Sequence, residues 1–166
     1  IEGMDRVLAC PIVTKHLSFI FTPPNQIFMH KLTVFASCDQ STLTILQSCH
    51  HDIWAREYCS TLETRLNYSP SDCFETFPFP ASIDGLDGIG ERYYTHRQSI
   101  MTARQEGLTK TYNRFHNPSE TSSDIVELRR LHVEMDQAVA AAYGWTDLEL
   151  GHGFHQTKQG MRYTIS

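Results

Sequence analysis

One stretch, Tyr68-Ser-Pro-Ser-Asp-Cys-Phe-Glu-Thr-Phe-Pro-Phe-Pro80, divides this chain into two sequences that obey different rules. Before it, apolar residues come in short runs rich in β-branched and aromatic side chains. After it, they recur at three- and four-residue spacing. Pro70, Pro78 and Pro80 each lack a backbone donor and push the preceding residue towards extended backbone, so the stretch itself is expected to be irregular. Phe74, Phe77 and Phe79 are too many large apolar groups for a solvated linker and are expected to be buried anchors. The pattern predicts an α+β fold, a small antiparallel sheet followed by a mostly helical region, with 1–67, 68–80 and 81–166 as first part, crossover and helical part.

Residues 6–13 and 17–22 read as strands around the polar trio Thr14-Lys15-His16, and Pro11 demotes the first to an edge or bulged strand. Pro23-Pro24-Asn25-Gln26 reads as a turn, and 27–36 as a third strand. Asp39 or Ser41 then caps a helix to about Leu62, with a stripe of Leu43, Leu46, Cys49 or His50, Ile53, Trp54 and Tyr58. A second helix is expected over about Ile89 to Glu106, stopped by Gly107, with Ile89, Tyr93, Ile100, Met101 and Arg104 along one side. Residues 108–118 read as a helical turn and a loop. A third helix starts near Ser122 or Ser123 and ends at Gly144, with a stripe of Leu128, Leu131, Met135, Ala138, Val139 and Ala142. From Trp145 onward the chain reads as irregular.

The chain has 166 residues, 40% hydrophobic and 20% charged, which is a globular composition with no run long enough for a membrane helix. Both ends read as cut through a longer polypeptide. Five cysteines without a Cys-x-x-Cys pair favour free thiols in a reducing cytoplasm. No phosphate-binding loop, nucleophile elbow or zinc helix occurs, and Thr22-Pro23-Pro24-Asn25 resembles a base-gripping motif only superficially. No catalytic residue is therefore assigned. His50-His51 and His152-Gly-Phe-His155 lack converging partners and read as packed or solvated histidines rather than a metal site.

The net charge of −5 argues against a chain that holds nucleic acid through bulk charge; contact with DNA would need a local patch. Lys110-Thr-Tyr-Asn113-Arg114-Phe-His116 interleaves basic, amide and aromatic groups as a DNA-contacting loop would, although an interhelix connection is the blander reading. Lys15, His16, His30 and Lys31 lie at strand ends or on one strand. The DNA-binding candidates are thus Lys15, Lys31, Lys110, Asn113 and Arg114. Arg92, Arg97, Arg104, Arg129 and Arg130 are expected instead to pair with Glu91, Glu106, Glu127 and Glu134.

The 69–80 segment, Gly90-Glu-Arg-Tyr-Tyr94, the 104–116 segment, Leu128-Arg-Arg-Leu-His-Val-Glu-Met-Asp136 and Gly151-His-Gly-Phe-His155 together resemble the C-terminal portion of bacterial adenine-specific DNA methyltransferases of the MmeI-like, type IIG restriction–modification kind. The resemblance implies that 1–67 closes a DNA target recognition domain and that 81–166 is a helical region packing back on the enzyme. The parent would join them to a methyltransferase domain that transfers a methyl group from S-adenosylmethionine to a flipped adenine, in the cytoplasm and without a membrane. This stretch itself would hold no cofactor. The alternative is a protein-interaction module that assembles methyltransferase and nuclease domains with little DNA contact.

Overall fold

The structure is a computed structural model that describes residues 3–166. It divides into two compact units, Ile1–Phe79 and Pro80–Ser166.

The first unit holds two three-stranded antiparallel sheets, each with a short central strand. In the first sheet β1 (Val7–Pro11) lies between β3 (Ile20–Thr22) and β4 (Leu32–Phe35). Pro11 does not make β1 an edge. The Leu8 and Ile12 amides point towards the β4 side, bonding Ser37 and Lys31 carbonyls at 3.1 and 2.9 Å. By alternation the nitrogen of Pro11 faces the β3 side, where pairing already ended at Ala9. In the second sheet β6 (Arg65–Asn67) lies between β2 (Val13–Thr14) and β5 (Thr61–Leu62). Ile12 joins the two sheets, since its carbonyl accepts the Tyr68 amide at 2.6 Å.

The expected strands are shorter than their apolar runs. Leu17, Ser18 and Phe19 are buried but unladdered; the Gln47 side chain serves them, with Oε1 accepting the Phe19 amide at 3.0 Å and Nε2 donating to the Leu17 carbonyl at 3.4 Å. Residues 27–31 are an exposed loop rather than strand. The single helix expected to Leu62 is two, α1 (Gln40–Gln47) and α2 (Cys49–Tyr58), broken at Ser48, whose φ of −67° and ψ of 159° are extended. Its hydroxyl donates to the Ile45 carbonyl at 2.7 Å, the local competition with helix that serine offers. The break shifts the buried face: α2 buries Cys49, His51 and Ala55 and leaves Ile53 exposed. The chain then turns into the β5–β6 hairpin at Glu63, which has φ +58°.

The core of this unit is aromatic. Phe19 meets Phe35, His51 and Tyr68 at centroid distances of 5.8, 5.9 and 6.0 Å. The Pro/Phe stretch joins it, and contrary to expectation it is partly regular: Pro70–Phe74 forms one π-helical turn. Phe74 packs on Phe35 at 4.7 Å, and buried Phe77 meets His51 edge-on at 4.7 Å. Phe79 is 39% exposed, so only two of the three expected anchors are covered.

The second unit consists of α3 (Asp87–Arg104), α4 (Leu108–Phe115), α5 (Ser123–Ala142) and a hairpin of β7 (Gly153–Thr157) and β8 (Gly160–Thr164). The segment expected to be a turn and loop is α4, and the C-terminal stretch expected to be irregular is the hairpin. Gln105, in the left-handed region at φ 51°, ends α3; Gly107 is the N-cap of α4 instead. Ile89, Tyr93, Ile100, Tyr112, Phe115, Ile125, Leu128, Leu131 and Met135 form one core, with Tyr163 of the hairpin packed against it.

Candidate nucleic-acid interface

In the first unit the backbone around Ile12 links the segments that carry Lys31 and Lys15. Lys31 is exposed at the corner of a turn closed by the Leu32 amide on the Met29 carbonyl at 3.0 Å, and its own carbonyl holds the Ile12 amide. Lys15, also exposed, follows β2 three residues further on, its carbonyl accepting from Arg56 Nη2 at 3.4 Å. The β2–β6 register pairs Val13 with Asn67 and Thr14 with Leu66. One step beyond the paired residues the same register leads to Lys15 and Arg65.

Arg65 and Glu63 are further candidates that sequence reasoning passed over. They form an exposed pair on the hairpin, Nη2 to Oε2 at 2.9 Å, with side chains 50% and 74% accessible. Such a pair adds little stability. It sets an arginine fork, which suits guanine, beside a carboxylate, which accepts from cytosine. Glu63 holds a left-handed backbone conformation that non-glycine residues seldom adopt, a feature that gathers at functional turns. The signal for this turn was a short polar run with no helical stripe, masked by Tyr58 and Leu62 falling in helical phase with α2.

The remaining candidates lie in the second unit, on α4. Lys110 and Asn113 are exposed one turn apart. Arg114 is committed internally. It donates to both carboxylate oxygens of Glu106 at 2.9 and 2.7 Å and to Glu120 at 2.9 Å. These bonds hold its pKa above the ordinary value, while Ser122 and Arg114 together hold the Glu120 carboxyl down at about 2.

The other helical arginines are neutralised as a group, with partners partly different from those expected. Arg104 forks onto Asp124 at 2.7 and 2.8 Å, Arg92 pairs with Glu134, and Arg130 with Glu127 and Glu134. Arg104 departs from the expected glutamates by taking an aspartate, and Arg97 and Arg129 depart from them further. Arg97 is fully buried and donates to the Tyr112 hydroxyl at 3.0 Å. Arg129 donates to the carbonyls of Phe115, Glu120, Arg114 and Asn117 at 2.8–3.1 Å, tying the α4–α5 connection to α5.

His51, His152 and His155 make bonds within the fold. His51 is buried against the Tyr68 hydroxyl at 3.0 Å, and burial lowers its pKa to about 4. His152 Nε2 lies 2.9 Å from the buried Asp136 carboxylate, and His155 donates to the Gly151 carbonyl at 2.8 Å. Among the described residues no helix is long and apolar enough to cross a membrane.

Residues 12–81 match the model of the MmeI target recognition domain. This part of the chain is therefore similar in sequence to an MmeI-type target recognition domain. The matched residues include both sheets' junction, Lys15, Lys31, the Glu63–Arg65 hairpin and the Pro/Phe stretch. The chain is also similar in fold to the type IIL restriction–modification enzyme MmeI solved in complex with DNA, with a TM-score of 0.63 and 21% identity over 90% of this chain. It spans 20% of that enzyme's length. No protein with a curated description matches the sequence.

Proposed function

We propose that this chain is the DNA target-recognition and scaffold portion of an MmeI-type restriction–modification methyltransferase, and that its first unit contacts duplex DNA. The observation that carries the reading is that exposed Lys15, Lys31 and Arg65 all lie within the recognition-domain match at 12–81. Lys15 and Lys31 hold phosphates, and the Arg65–Glu63 tip faces base edges. Methyl transfer from S-adenosylmethionine to adenine belongs to a methyltransferase domain of the same cytoplasmic polypeptide. This unit positions the site for that chemistry and holds no cofactor itself.

The second reading, a module for assembly with the other enzyme domains, fits the second unit. Its arginines on α3, α4 and α5 are occupied by carboxylates, carbonyls or, at Arg97, the Tyr112 hydroxyl, which leaves Lys110 and Asn113 as its candidates for DNA.

Retention of a labelled duplex pool by the 166-residue chain tests both readings. Binding should fall in the weak range of about 10⁻⁴–10⁻⁶ M near physiological salt. Replacing Lys15 and Lys31 by alanine should lower the salt slope by about 1.8, two phosphate contacts at about 0.9 each. Replacing Lys110 and Asn113 should leave it unchanged. No retention at low salt refutes DNA contact by this chain, and an equal loss from the Lys110/Asn113 variant refutes the scaffold role of the second unit.

A further inference from the structure

The loop between β3 and β4 exposes two apolar side chains. Ile27 is 100% accessible and Met29 63%, while Phe28 between them is half-buried. This alternation turns Ile27 and Met29 to solvent and Phe28 to the protein. Both flanks are fixed. Before the pair, Pro23 and Pro24 stiffen the chain and Thr22 Oγ1 donates to Gln26 Oε1 at 3.4 Å. After it, the Met29–Leu32 turn sets His30 and Lys31 at its corner.

Charge tells what such a tip faces. The chain is acidic overall at −5, yet no Asp or Glu occurs from Arg6 to Cys38. The loop lies inside that acid-free run, between Lys15 and Lys31. Two bare aliphatic side chains flanked by amides (Asn25 and Gln26) and cations suit a polyanion that presents apolar groups between its phosphates. The major groove does so through the thymine C5-methyl, with adenine offering its N6 and N7 to amides on the paired base.

We infer that the 23–31 loop enters the major groove and that Ile27 and Met29 read thymine methyl groups. The inference rests on DNA contact by the first unit and names the part of the target that this loop senses: A·T pairs. A loop docking on another protein surface would need neither the cations nor the amides.

The test selects duplexes from a pool randomised over about 12 base pairs with the 166-residue chain at ~20 mM salt, where weak complexes are retained. The enriched duplex is then made with deoxyuridine in place of thymine, which removes the methyl alone. The wild type should bind the uridine duplex about tenfold more weakly. The Ile27→Ser/Met29→Ser variant should bind both duplexes alike, at the weaker level. Both positions are exposed, so a thermal melt of the variant should match the wild type. Equal wild-type affinity for both duplexes overturns the inference, as does an undiminished thymine preference in the variant. It is likewise overturned if the variant binds DNA as the wild type does and differs only in self-association on sedimentation. Absence of any retained DNA refutes the DNA reading beneath it, and that outcome is distinct from each of these.

Discussion

Arg129 should matter more to the second unit than any of its exposed ion pairs, and the prediction can be worked from its four carbonyl bonds. Arg129 is 8% exposed and stands over the Phe154 and Tyr163 rings at 5.0 and 5.6 Å. Truncation to Met keeps most of the apolar stem and removes the fork. The Phe115 carbonyl bond is buried, so losing its donor costs about 1–3 kcal/mol. The other three carbonyls are part-buried and can be rehydrated, at about 0.5–1 kcal/mol each. The total is about 2.5–6 kcal/mol, centred at about 4 kcal/mol. Lysine cannot substitute, because one ammonium with three donors does not span the four acceptors. With a urea m-value of about 1–2 kcal/mol/M, Arg129→Met should lower the unfolding midpoint by roughly 2–4 M. Circular dichroism in urea measures this, with Arg130→Met on the same helix as the control. Arg130 pairs with Glu127 and Glu134 at 56% side-chain exposure, a setting worth less than about 1 kcal/mol. If the two variants unfold within about 0.5 M of each other, Arg129 is not the clamp described.

His51 makes the first unit acid-sensitive. Its folded pKa of about 4 lies below the ordinary 6.5, so the unfolded chain takes up the proton first and stability present above pH 6.5 is lost as pH falls towards 4. The loss attributable to His51 is about 3 kcal/mol, and urea unfolding between pH 7 and 4.5 should be flatter for His51→Phe than for the wild type; equal slopes would refute the assignment. Phe77→Ala should destabilise the same unit by about 3–5 kcal/mol, and Phe79→Ala by about 1 kcal/mol, since Phe77 is 7% exposed and Phe79 39%. Thermal melts that rank them in the opposite order would refute the anchoring role given to Phe77.

Legibility followed how strictly burial was written in apolar residues. The α3 and α5 helices were readable because Ile89, Tyr93 and Ile100, and Leu128, Leu131 and Met135, face one core at helical spacing. The C-terminal hairpin was not, because the buried face of β8 carries Arg162 and Thr164 and leaves Met161 exposed, which inverts the usual alternation. The β5–β6 hairpin has one buried residue, Leu66, too few to mark a period of two. The helix break at Ser48 left no trace because the apolar residues on either side of it remain in a plausible phase.

The same logic explains which candidate site residues were misjudged. A basic side chain in a sequence says nothing of its partners, and the Lys110–Arg114 segment looked richest because it was densest. In the fold, Arg114 lies between Glu106 and Glu120, eight residues before it and six after, separations that the helix end at Gln105 and the Asn117-Pro118 bend bring together. Lys15 and Lys31 looked weak as single residues, but a central strand and one shared hydrogen bond through Ile12 place them on the unit that holds the recognition-domain match. The distribution of acid decides between the segments. Carboxylates pair with the arginines of the second unit, whereas an acid-free run from Arg6 to Cys38 sets Lys15 and Lys31 in a locally positive stretch of sequence on a chain of net charge −5. A polyanion responds to that local field within about a Debye length, near 10 Å at 0.1 M salt, and not to the net charge of the whole chain.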